Sequence, residues 1–135
     1  MERTSVESYR DLLVWQVGME ISVLCYQLTD VFPKREQYGI TSQIRRAAVS
    51  IPANISEGYG RATRREYIRF LRIAQGSLKE LETLIEISRR VALLSDAEKI
   101  KVLCDREGRL LTSLIRSLNR RTDSPLPTPD SRSSC

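Results

Sequence analysis

Apolar residues recur every three or four positions along most of this chain, the period of a helix and not the alternation of a strand. In the first segment, residues 5–32, Leu13, Val17, Ile21, Leu24, Leu28 and Val31 keep that step, and Leu12, Trp15, Met19 and Val23 widen the stripe. The spacing predicts one helix of about seven turns. Pro33 ends it, because the residue before a proline is pushed out of helical geometry. A second helix is predicted from Thr41 to Tyr59 on Ile44, Ala47, Ala48, Ile51 and Ile55. Pro52 inside it removes the hydrogen bond to the Ala48 carbonyl, so a kink is expected near residues 48–51. Gly58 is read as a left-handed terminator. The third helix opens on Thr63 and Glu66, the pattern of a capping box, and carries Tyr67, Phe70, Leu71, Ala74, Leu78, Leu81, Ile85 and Ser88 on one face. The fourth opens on a second such pair, Ser95 and Glu98, with Ile100, Leu103, Leu110, Leu111, Leu114 and Leu118 as its stripe. The short link around Leu93 and Leu94 sets helices three and four antiparallel.

Four amphipathic segments with short connections specify an all-α fold, an antiparallel up-down-up-down four-helix bundle with a kinked second helix. The bundle is expected over residues 1–121. Residues 122–135 hold prolines at 125, 127 and 129 and many serines, and read as a disordered tail. A chain of 135 residues suits one domain.

Composition then narrows the chemistry. Histidine is absent, which removes the commonest general base and metal ligand. No catalytic residue, metal set or cofactor is assigned, and an enzyme is not expected. Cys25 and Cys104 read as small core residues, and Cys135 sits on the tail. No apolar run approaches the roughly 20 residues of a membrane span, and the first residues lack a secretory apolar stretch. A cytoplasmic protein without membrane contact is therefore expected. Glu57, Glu80 and Glu107 fall beside apolar faces, where pairing with Arg45, Arg46 or a neighbouring copy's arginine is expected.

Charge points to a partner. Lys and Arg number 22 against 17 Asp and Glu, a net charge of +5. Arg61, Arg65, Arg69 and Arg72 fall within an arc of about 80° on a helix, away from its core line. Helix four repeats the arrangement with Arg106, Arg109, Arg116 and Arg120. Guanidinium forks match phosphate oxygens, so Arg45, Arg46, Arg61, Arg64, Arg65, Arg69 and Arg72 form the candidate nucleic-acid-binding set. The alternative is a solvated helix face. No aromatic residue interleaves with the stripe, so base stacking gains no support. In helix two Gln43, Ser50, Asn54 and Glu57, with Ala47, make a line of small and polar residues. It reads either as an oligomer interface or as a set of partners for the carbonyl that Pro52 frees.

Three stretches carry a resemblance: YRDLLVWQVGMEISVLCYQLTDVFP, QIRRAAVSIPANISEGYGR and REYIRFLRIAQGSLKELETLIEIS. They hold NISEG at 54–58 and GSLKELE at 76–82, and the chain from Tyr9 to Leu118 resembles the four-helix-bundle proteins encoded by 23S rRNA intervening sequences. It is also similar to the accessory variability determinant proteins of diversity-generating retroelements. The first resemblance implies an antiparallel bundle that assembles as a homo-oligomeric ring, with a pentamer favoured. The second implies a basic barrel that binds nucleic acid and a reverse transcriptase. Together they imply a non-enzymatic oligomer that holds structured RNA or DNA by phosphate contacts. The alternative is a protein-interaction adaptor for a reverse transcriptase or another nucleic-acid enzyme.

Overall fold

Ser8 begins the regular structure, in a computed structural model that describes residues 6–123. The Ser8 hydroxyl accepts from the Arg10 amide at 3.1 Å, and the Asp11 carboxylate accepts from the Ser8 amide at 3.2 Å, which closes one 3-10 turn over Tyr9–Asp11. Leu12 is then extended (φ −76°, ψ 129°), and α1 runs only from Leu13 to Thr29. The predicted seven-turn helix is thus shorter at both ends. A reciprocal cap at Ser8, four residues before the extended Leu12, outweighs the apolar period there. Three further helices follow: α2, Ile40–Tyr59; α3, Arg64–Arg90; and α4, Glu98–Asp123. No described residue is in a strand. Because α4 reaches Asp123, Thr122 and Asp123 belong to the helix and not to the predicted tail; the rest of that tail lies outside the described residues.

The helices form a closed ring of neighbours, α1 with α2, α2 with α3, α3 with α4, and α4 with α1. Contacts that fall along one helix rise along the next. Thr29 meets Arg45 while Ser22 meets Ala48, Ser50 meets Ser77 while Gly58 meets Phe70, and Leu78 meets Gly108 while Gln75 meets Thr112. Each of these pairs therefore runs antiparallel. The core between them holds Val17, Ile21, Ile44, Ile51, Ile55, Leu71, Leu78, Leu81, Ile100 and Leu111, each at most 1% exposed.

Two core lines are rotated from the expected ones. In α1, Leu13 is exposed, as is Val31 beyond its end, and Val14 and Cys25 occupy the core instead. In α4, Leu103, Leu110 and Leu114 are half-buried, while the buried line is Ile100, Cys104, Glu107, Leu111, Ile115 and Leu118. A leucine at the edge of a stripe still covers apolar surface, so period alone leaves the phase open. The caps differ as well. The Thr63 hydroxyl accepts from the Glu66 amide at 3.1 Å, but the Glu66 carboxylate turns to Arg69 rather than back to Thr63. At α4 the Glu98 amide donates to Asp96 at 3.0 Å, not to Ser95. Gly58 lies inside α2 with a negative φ, so it does not terminate the helix.

Pro52 is buried inside α2, which continues through it. A proline lacks the N–H that would reach the Ala48 carbonyl. The Ser22 hydroxyl from α1 donates to that carbonyl at 3.0 Å, while also lying 3.1 Å from the Gly18 carbonyl of its own helix. A buried carbonyl without a donor costs about 1–3 kcal/mol. Ser22→Ala is therefore expected to lower unfolding free energy by about 1–2 kcal/mol in urea titrations. Unchanged stability would mean that another group serves Ala48.

Candidate nucleic-acid interface

The arginines predicted to act together divide between two surfaces. Arg61 precedes α3, so the row of four is not on one helix. It pairs with Glu57 at 2.7 Å, and its guanidinium lies 4.8 Å from the Phe70 ring centre. Arg69 lies over the same ring at 4.5 Å and binds both oxygens of Glu66, each at 3.2 Å. The bond from Arg69 holds the Glu66 carboxyl below its usual range. Such exposed pairs contribute little to stability, yet they occupy the guanidinium groups. Arg64 is half-buried, and Arg65 and Arg72 are exposed without an ion pair. Arg45 and Arg46 lie on α2 beside α1, and Arg72 faces α4.

Three of the four small polar residues of α2 are engaged within the chain, Glu57 with Arg61 as above. The Ser50 and Ser77 hydroxyls meet at 2.8 Å, and the Asn54 amide donates to the Ser50 carbonyl at 2.8 Å and hydroxyl at 2.9 Å. Gln43 and Glu57 are exposed.

A second cationic surface is the better organised one. Arg72, Arg116 and Arg120, with Gln75, Thr112 and Asn119, line a 300 Å³ depression between α3 and α4 with no carboxylate among the described residues of its wall. It continues into a groove of 830 Å³, where Arg109 and Lys79 are added and Glu82 and Asp105 enter. Lys79 pairs with Glu82 at 3.2 Å, so the free positive charge concentrates toward Arg109 and Arg116. Gly76 and Gly108 lie in the lining of the same groove. The α4 arginines belonged to the sequence pattern, but only packing shows that Arg72 joins them and that Arg61 and Arg69 are already engaged.

Glu107 is the one buried ionisable carboxyl among the described residues. It is 0% exposed, and neither oxygen has a hydrogen-bond partner. Burial pushes its carboxyl up to about 8, partly offset by Arg106 and reinforced by Glu20. It is therefore an uncharged acid at neutral pH, and the ion pair expected for it is absent. Glu57 pairs with Arg61 instead, and Glu80 is exposed without an ion pair. Cys25 and Cys104 are buried free thiols, both pushed up to about 12 by desolvation, and so unreactive as thiolates. Among the described residues no group of three His, Cys, Asp or Glu side chains could hold a metal ion, and no helix is long and apolar enough to cross a membrane.

Comparison with known proteins gives a consistent answer. A crystal structure of a protein with unknown function from the S23 ribosomal protein family of Bacteroides thetaiotaomicron superposes with a TM-score of 0.69 at 26% identity, covering 77% of this chain and 99% of that one. No curated protein matches the sequence. The family model described as 23S rRNA-intervening sequence protein matches residues 10–113. The span of that match includes α1, α2, α3 and the first part of α4, with the groove from Arg72 to Arg109, and this chain belongs to the 23S rRNA-intervening sequence protein family.

Proposed function

We propose that this protein is a non-enzymatic, cytoplasmic homo-oligomer, with five copies favoured, that holds structured RNA or DNA by its phosphates. The observation that carries the reading is the junction of Arg72 on α3 with Arg116 on α4 in one depression whose described lining holds no carboxylate. Side chains of this kind fix backbone phosphates without reading bases. A duplex laid along the α3–α4 groove would also meet Arg109, and copies placed side by side would extend the row.

The test is a titration with duplex DNA and a stem-loop RNA at several salt concentrations. Each phosphate neutralised on duplex DNA steepens the slope of log K against log salt by about 0.9. The double variant Arg72→Ala, Arg116→Ala is expected to flatten that slope by roughly 1.8. Arg61→Ala, already paired in the free protein, is expected to change it far less. A salt-independent response, or no binding at low salt, would overturn the proposal.

A second reading, as a protein-interaction adaptor, rests on the outer face of α1. There Met19, Val23 and Tyr26 are 39%, 54% and 48% exposed. A stoichiometric protein partner that survives nuclease and high salt would favour it.

A further inference from the structure

Tyr38 is 90% exposed, and among the described residues its ring makes no aromatic or cation–π contact. It lines a 620 Å³ pocket between the end of α1 and the first half of α2. Arg45 and Arg46 line that pocket, and no carboxylate does. Arg45 is held in place. Its guanidinium lies 4.4 Å over the Tyr26 ring, and its Nε donates to the Thr29 hydroxyl at 2.9 Å, which leaves both Nη groups without an ion pair. Arg46 is exposed and likewise unpaired. The wall also contains Thr41, which is 6% exposed and whose Oγ1 has no hydrogen-bond partner. Gly39 gives α2 no side-chain cap, and Thr41 and Ser42 of its first turn line the same pocket.

These features need one occupant that is both anionic and flat. A free aromatic face recognises a π-system, and paired guanidinium groups beside an uncapped helix start recognise a phosphate. The volume lies in the ordinary range for a small-molecule site. We propose that this pocket seats one unstacked nucleotide, its base on the Tyr38 ring and its phosphate at Arg45, Arg46 and the first turn of α2. The inference rests on the nucleic-acid reading above and deepens it, from backbone contact to a single-stranded nucleotide. It also departs from the sequence, in which no aromatic residue accompanies the arginine row. Tyr26 comes to Arg45 and Arg46 through the packing of α1 on α2, and Tyr38 stands in the turn just before α2.

The experiment uses the full chain and a fluorescent single-stranded RNA octamer, followed by anisotropy. Beside it runs an abasic octamer with the same number of phosphates. The ordinary octamer is expected to bind roughly tenfold more tightly than the abasic one, the scale of a stacked base. Tyr38→Ala is expected to erase that ratio while leaving abasic binding in place. Arg116→Ala, in the α3–α4 groove, is expected to weaken both octamers alike and to preserve the ratio. Adenosine monophosphate separates the two sources of the same chemistry. Displacement of the octamer assigns a free nucleotide, and failure to displace assigns a nucleotide within a strand, provided the ratio still depends on Tyr38. Equal binding of the two octamers, with duplex still bound in a salt-dependent way, would overturn the pocket and leave the phosphate reading standing. Loss of all binding would overturn both. A Tyr38→Ala protein that changes its assembly mass but keeps the ratio would show that a second copy fills the pocket, and would also overturn it.

Discussion

Gly58→Ala is expected to lose about 3 kcal/mol of stability, seen as a fall of roughly 10 °C in the thermal midpoint by circular dichroism. A methyl group built at Gly58 would lie 2.6 Å from the Phe70 Cβ and 3.2 Å from the Tyr67 carbonyl oxygen. Both atoms are rigid parts of α3, so neither can swing aside, and α2 and α3 would have to separate. That separation also strains the Ser50–Ser77 contact further along the pair. Helix propensity acts the other way, because alanine in a helix interior gains about 1 kcal/mol over glycine. Gly76 isolates that gain: a methyl group there meets nothing within 4 Å. Gly76→Ala is expected to raise stability by up to about 1 kcal/mol. The two substitutions are chemically identical and opposite in sign. Equal effects would show that the close approach of α2 to α3 is not what Gly58 serves.

Raising the pH from 5 to 8 is expected to cost the folded state roughly 4 kcal/mol through Glu107 alone. Its carboxyl ordinarily titrates at 4.5 and is raised to about 8 in the fold. Between those values the folded chain keeps a proton that the unfolded chain has released, so stability falls by about 1.4 kcal/mol per unit of pH. Below 4.5 both states are protonated and this contribution is complete; above about 8 both are ionised and the slope vanishes. Other groups act outside this window. Glu86, held at about 2 by Arg89 and then Arg90, loses its contribution as the pH falls below the usual carboxylate range. The thiols of Cys25 and Cys104, ordinarily at 9.0, act only in alkali. Urea unfolding of the native chain and of Glu107→Gln, across pH 5 to 8, isolates the effect. The native curve should fall and the Gln curve should stay nearly level. Glu107→Leu should also be level, and more stable than the native chain at pH 8. Parallel curves for native and variant proteins would mean that Glu107 is ionised or solvated in the fold.

The sequence made some of this legible, and the reasons for the remainder are specific. The bounds of α2 and the start of α3 follow from Thr63 and the apolar period, and the structure places them within about one residue of the expected positions. Glu107 could be placed near the core by helical phase, but its lack of a partner depends on what surrounds it. The end of α3 was hidden because alanine, not glycine, stands in the left-handed position. Ala92 has φ 65°, and the Leu93 amide donates back to the Ser88 carbonyl at 2.9 Å. In the candidate site, spacing grouped Arg61 with Arg65, Arg69 and Arg72. Local partners then separated them, since Glu57 and Glu66 lie four and three residues away and engage two of the four. Conversely, Arg72 and Arg116 are far apart along the chain, and no period could join them.

The bond from Ser22 to Ala48 has one more effect, on alignment. Sliding α1 by one helical turn, about 5.4 Å, would still bury aliphatic residues against α2. It would bring Gly18 or Tyr26 to the place of Ser22, and neither has a short hydroxyl to offer the carbonyl bared by Pro52. Oily contacts tolerate such a slip; this polar one does not. The proline thus serves as an index mark between two helices, penalising mis-threaded packings of the same chain.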